Sequence, residues 1–253
     1  MNTTAQLTLD IKSYWHTGSG QGNGYHLDAL CERDQDKLPM IPGRQVKGLL
    51  RHCVRRAEAW DWLDEFNLPE GYFSSHEELL FGSHSQQEGR YETQPGMLIV
   101  ENARLPETER QWLALEQATE LRGELFTELY STAIDANTGS ARQYSLRGME
   151  ACIPLQLLAS IDLMETGLEP SLRAQQQTYL QSGTAWKVLA TCLPLLDSIG
   201  ANRSRGFGEV IASLNQGVSG QKTQVKASQK HSGKPQKNAR QAKKQTKNKR
   251  KGR

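Results

Sequence analysis

Leu7, Leu9 and Ile11 alternate with Thr8, Asp10 and Lys12, the period of a strand with one face buried. The same alternation returns at Leu155, Leu157, Ala159, Ile161 and Leu163, and again through Val210, Ala212 and Leu214. Residues 97–100 are almost continuously apolar, as expected of a strand covered on both faces. Helical spacing takes over in residues 44–60, where Val46, Leu50, Cys53, Ala57 and Trp60 share a face, and in residues 179–196, where Ala185, Leu189, Cys192 and Leu196 do. Residues 107–129 also read as helix. The order strand, helix, strand, long insertion, strand, helix, strand predicts an α+β, ferredoxin-like (RRM-like) core. Within the insertion, Asp135-Ala136-Asn137-Thr138-Gly139 supplies turn chemistry between two extended arms, which predicts a projecting hairpin over about residues 131–150.

Composition changes this picture at one end. The net charge of +3 conceals a division, because residues 215–253 hold 13 Lys or Arg and no Asp or Glu, leaving 18 basic against 28 acidic residues before them. That terminal stretch has too few apolar side chains to offset the entropy of ordering, so it reads as a disordered basic tail behind a domain of residues 1–214. Cations on a flexible tether suit a phosphate backbone without sequence preference, or serve simply to solubilise. No run nears the ~18 apolar residues of a membrane span, and the first residues lack the layout of a signal peptide, so a cytoplasmic location is expected. Cys31, Cys53, Cys152 and Cys192 form no CxxC pair and no zinc-ligand spacing, and are expected to be reduced thiols.

Since the domain is acidic, any RNA contact must be confined to local patches, and three candidates stand out. Arg44, Lys47, Arg51 and Arg55 form a stripe opposite the apolar face of the first helix. A solvated face explains the stripe equally well, but cations in a first turn oppose the helix dipole by about 0.3–1 kcal/mol, and such conflicts often mark a functional site. Free amides after Pro42-Gly43 would add to a phosphate site there. The second patch is the loop with Gly200, Arg203, Arg205, Gly206 and Gly208: glycines let backbone approach a phosphodiester while guanidinium groups hold its oxygens. The same glycines also serve as a helix C-cap and a tight turn. The third patch, on the return arm of the hairpin, is Arg142, Tyr144 and Arg147, two cations and an aromatic face for stacking on bases. A plain surface hairpin has the same composition.

Together these segments resemble the RAMP superfamily of CRISPR-associated proteins, most closely the repeating backbone subunit of type III effector complexes. Residues 39–51, PMIPGRQVKGLLR, are similar to that family's PxIPGSSxKGxLR segment; Leu80-Phe81-Gly82-Ser83 is similar to its LFGS turn. Residues 134–154 resemble its thumb hairpin, and Ile199 through Gly208 its glycine-rich loop. The resemblance implies a core that binds CRISPR guide RNA and target RNA beside further copies of itself and other effector subunits. It also implies cutting of target RNA by an aspartate before the IPG segment, with a divalent metal ion, magnesium, as cofactor. Asp28 stands in register with that aspartate; Asp34 and Asp36 read better as loop or capping residues. Arg44 and Gln45 replace two small serines, and Asn102 replaces a frequent Asp. A non-catalytic scaffold with the same fold and a guide-processing ribonuclease using His16 or His26 are the alternatives. The metal ligands themselves are left open.

Overall fold

The computed structural model describes residues 3–24, 26–83 and 93–216. Strand β1 (Thr4–Ile11) lies at the centre of a four-stranded antiparallel sheet in the order β2, β5, β1, β6, with β2 at Leu98–Val100, β5 at Gln156–Leu163 and β6 at Val210–Gln216. This is the strand order of a ferredoxin-like core, consistent with the expected α+β class. The alternation seen in the sequence fixes which face is buried. Leu7 pairs with Ala159 on one side and Leu214 on the other. Ala5, Leu7, Leu9 and Ile11 join Leu157, Ala159, Ile161 and Leu163 on the buried face. Each such leucine, fully buried, contributes about 1.5–3 kcal/mol.

Helix α1 (Gly43–Ala59) covers that face with Val46, Leu50, Cys53, Val54 and Ala57. Its start carries no cap from its own segment. Instead Asn102 Oδ1 accepts the Gly43 amide at 2.8 Å. A Cβ on Gly43 would lie 2.2 Å from the Val100 carbonyl, so only glycine lets the helix begin against the end of β2. A short helix α2 (His76–Phe81), which hydrophobic periodicity did not announce, packs against α1.

Four expectations are corrected. Residues 107–129 are not one helix: α3 (Glu107–Leu113), a 3-10 turn at Glu116–Ala118 and α4 (Thr119–Gly123) are followed by strand β3 (Phe126–Ser131). Trp112, Leu115 and Leu121 stay exposed, so no continuous apolar face holds a long helix together, and Phe126 packs onto the core from a strand instead. The second core helix is interrupted at Gly183, whose φ of 68° ends α5 (Pro170–Ser182) before α6 (Thr184–Cys192) begins. β2 is an edge strand with Ile99 exposed, covered on one face only. Finally, β6 passes the expected boundary at residue 214: Asn215 pairs with Gln6 and Gln216 with Ala5. The rest of the expected tail lies outside the described residues.

The hairpin forms, longer than read from sequence. β3 pairs with β4 (Arg147–Cys152) from Phe126↔Cys152 to Ser131↔Arg147. At its tip Asp135 Oδ1 accepts the amides of Asn137 at 2.9 Å and Thr138 at 3.0 Å, the Asx geometry expected of that turn. All four cysteines are free and buried. Among the described residues no helix is long and apolar enough to cross a membrane.

Candidate nucleic-acid interface

The segment before α1 crosses the base of the hairpin and is bonded to it. Ala29 bridges Met149 in parallel, and the Asp28 amide donates to the Gly148 carbonyl at 2.8 Å. The Asp28 carboxylate receives the Gly148 amide at 2.9 Å and faces Arg147 Nη1 at 3.4 Å, with half of the side chain (50%) still open to solvent. A Cβ on Gly148 would sit 2.9 Å from the His26 carbonyl, so this contact requires a glycine. Asp34 is confirmed as a loop residue: its Oδ1 accepts the amides of Asp36 and Leu38 at 2.9 and 3.0 Å.

Arg142, Tyr144, Arg147 and Arg205 line one cavity of about 550 Å³ with Ser131 and Gln143. Two of the three sequence patches are thus brought together. The link between them is local: Asn202 in the glycine-rich loop donates to Met149 Sδ on β4 at 3.5 Å. Tyr144 is 93% exposed with φ at 59°, an uncommon conformation for a bulky residue, and Ile134 and Leu146 of the same hairpin are exposed as well. Leu146 was not singled out from the sequence, although an apolar residue beside turn chemistry was the available signal.

The glycine-rich loop divides its labour. Gly200 and Gly208 have φ of 75° and 68°, and a Cβ on them would lie 2.3 Å from the His16 carbonyl and 1.9 Å from the Ile199 carbonyl. Their missing side chains are therefore used by the protein's own backbone. Gly206, at φ 82°, has an open side. Between the left-handed Asn202 and Gly206, a single 3-10 turn presents Arg203 and Arg205 to solvent. Arg203 lines a neighbouring cavity with Ser198, Asn202, Ser204 and Arg205.

The stripe on α1 has other partners. Arg51 and Arg55 both bind Glu77, whose side chain is only 5% exposed and which arrives on α2; Arg51 also donates to the Gly82 carbonyl at 2.9 Å. Lys47 turns inward to donate to the Leu98 carbonyl at 2.6 Å, and burial holds its ammonium below the usual lysine range. Arg44 alone of the four is exposed with no side-chain bond described, and none of the four lines the cavity of the hairpin. Of the first amides of α1, that of Gly43 donates to Asn102 Oδ1, and those of Gln45 and Val46, among the amides expected for a phosphate, donate to the Pro42 carbonyl at 2.8 and 3.1 Å.

Of the two histidines, His16 is 5% exposed, with Nδ1 2.6 Å from the Glu150 carbonyl, whereas His26 is exposed and pairs with Glu128 at 3.3 Å. Among the described residues no group of three or more His, Cys, Asp or Glu is placed to hold a metal ion.

The family model for the RAMP superfamily matches residues 8–211. No curated protein matches the chain. Among solved structures, the chain is similar to a subunit in the cryo-EM structure of the type III-B Cmr-beta complex bound to cognate target RNA, with a TM-score of 0.56 at 8% identity, covering 83% of this chain and 96% of that one. The same coverage is found for the Cmr-beta complex in its apo state, with a TM-score of 0.51 at 9% identity. At such identity the likeness speaks for the fold, and the match over nearly the whole described domain places the chain by descent: it belongs to the RAMP superfamily.

Proposed function

We propose that this chain is a backbone subunit of a type III CRISPR ribonucleoprotein, binding guide RNA beside further copies of itself and other effector subunits, and cutting complementary target RNA. One observation carries the reading: a half-exposed carboxylate, Asp28, stands beside Arg147 at the base of a hairpin whose cavity also gathers Arg142, Arg205 and the exposed ring of Tyr144. The arginines suit phosphate oxygens, and Tyr144 suits a base drawn out of its stack. In the cutting step Asp28 takes the proton of a 2′-hydroxyl whose oxygen attacks the adjacent phosphorus. The 5′-oxygen leaves and takes up a proton from solvent, giving a cyclic phosphate and a 5′-hydroxyl, while Arg147 offsets the charge gathering on the phosphoryl group.

Among the described residues no cluster of three or more His, Cys, Asp or Glu is placed to hold the magnesium ion implied by the family resemblance, so Asp28 and phosphate oxygens of the RNA would have to supply its ligands. Asp28 is a single carboxylate, one oxygen of which is bonded to an amide and the other faces a cation. The catalytic reading therefore rests on Asp28 as base. Replacing Asp28 with Ala in the assembled complex is expected to abolish target cutting while guide loading and target binding persist. Regular cutting at the wild-type rate by that variant would remove Asp28 from the mechanism.

A second reading has its own support. The bond from Gly148 to Asp28 staples a loop to β4, a purely structural task consistent with a non-catalytic scaffold. A wild-type complex that loads guide and target yet leaves the target whole would decide for the scaffold. A guide-processing nuclease loses one of its two histidines, because His16 is buried against Glu150.

A further inference from the structure

The face of the sheet turned away from α1 carries a cavity that the RNA reading leaves unused. It measures about 650 Å³; β1 and β5 give it Gln6 and Ser160, the chain after β2 gives it Asn102 and Arg104, and α3 gives it Glu107 and Arg110. Arg104 is fixed there by its backbone: its amide donates to the Leu158 carbonyl at 2.9 Å and its carbonyl accepts the Leu158 amide at 2.7 Å. Among the described residues two buried side-chain atoms have no hydrogen-bond partner, Gln94 Oε1 and Arg104 Nε, and only the second belongs to a charged group. A cationic N–H taken from water without an acceptor is costly, so Arg104 is short of an acceptor that the described residues do not provide. Arg110, by contrast, is matched by Glu107 at 2.9 Å.

The surroundings select the kind of anion. With Arg110 matched, one guanidinium is left to answer a ligand, and Glu101 stands exposed on the lining. Asp10 and Asp162 share that face of the sheet, by the alternation of β1 and β5. A phosphodiester chain, with a charge at every nucleotide, would have to run past these carboxylates. Nor does the face offer bases a ring to stack on, because no outward position of the four strands is aromatic. A single carboxylate fits: it is planar, carries one charge and matches the fork of a guanidinium with its two oxygens. Ser160 Oγ is a further donor on the lining, and so is the amide NH2 of Asn102, whose Oδ1 is already taken by Gly43.

We propose that this cavity is a carboxylate-binding site anchored by Arg104, with Asn102 and Ser160 as supporting donors. An acidic side chain of another protein chain and a free dicarboxylic acid share this chemistry. The site has no lining residue in common with the cavity of the hairpin, so it is separate from the residues assigned to RNA cutting.

The test uses the full-length protein without RNA and does not depend on the proposed function. Arginine Nε–Hε signals are followed by heteronuclear NMR in isotope-labelled protein. That of Arg104 is assigned through its own backbone resonances and by its loss in Arg104→Lys. N-acetylglutamic acid α-methylamide, a mimic of the protein side chain, and glutarate are titrated beside sodium chloride at equal ionic strength. A saturable downfield shift of the Arg104 signal with carboxylate, absent with chloride, is expected. Binding of glutarate at least about tenfold tighter than the mimic assigns a free diacid, and comparable binding assigns a protein side chain. The proposal is overturned if inorganic phosphate or a uridine oligonucleotide moves the signal at lower concentration than either carboxylate. Carboxylate titrations no different from chloride overturn it as well.

Discussion

Helix α1 and the base of the hairpin each present arginines within an acidic domain, yet the fold treats them differently. Arg51 and Arg55 meet Glu77, a carboxylate buried to 5% exposure and delivered by α2. Arg142 and Arg205 border an open cavity beside Arg147, whose own acid, Asp28, is half exposed and already bonded to Gly148. A basic residue near a surface is available to RNA only if no other element brings it a partner. The conflict with the helix dipole that drew attention to α1 is resolved within the protein: Asn102 caps the helix, Glu77 takes two of the arginines and the Leu98 carbonyl takes Lys47.

The contrast breaks most visibly in stability. Replacing Arg51 and Arg55 together with Ala takes two cations from the buried Glu77 carboxylate, and loss of about 3 kcal/mol is expected in urea unfolding. A midpoint that stays put would return both residues to the pool of solvated cations. Arg142, Arg147 and Arg205 changed together to Ala should behave in the opposite way. Stability shifts by at most about 0.5 kcal/mol, as usual for exposed sites, while the salt dependence of RNA binding loses about 2 units of slope, roughly 0.7 for each phosphate contact. An unaltered slope in filter-binding titrations would take the cavity out of the RNA path.

Smaller effects sharpen the comparison further. Tyr144→Ala, removing a ring with nothing to lose in the core, is expected to cost about 1–3 kcal/mol of single-stranded RNA affinity and no thermal stability. Tyr144→Phe should keep most of the affinity, because stacking needs the ring and not the hydroxyl. Lys47→Met gives up one hydrogen bond and relieves a desolvated charge, so a change within about 1 kcal/mol in stability and none in RNA affinity is expected. Weaker RNA binding by Lys47→Met would restore α1 to the interface.

Much of the architecture was legible in one dimension. Period-two alternation placed β1 and β5, helical spacing placed α1 within a residue at either end, and Asp135 announced the turn of the hairpin. What escaped is instructive. The first half of α5 was unreadable because its buried face carries Gln175 and Gln176, which have no hydrophobic period to detect. Gln175 bonds Phe73 and Pro69, and Gln176 bonds Thr166 and Gly167, so each amide is satisfied by loops outside the helix. β3 was hidden inside an expected helix because its apolar residues alternate too briefly to compete with the helical pattern before it.

The sequence by itself determined the class of fold, the turn of the hairpin and the family, because periodicity and motif spacing are properties of neighbours along the chain. Only the tertiary structure decided which cations remain available, since Glu77, Asn102 and the Leu98 carbonyl reach α1 from other elements. It also decided that Asp28 meets Arg147 and that Arg147 and Arg205 line one cavity, because charge pairing depends on separation in space. Coulomb energy and hydrogen bonding fall off over a few ångströms, and residues far apart in sequence come within that range only when the sheet and hairpin close.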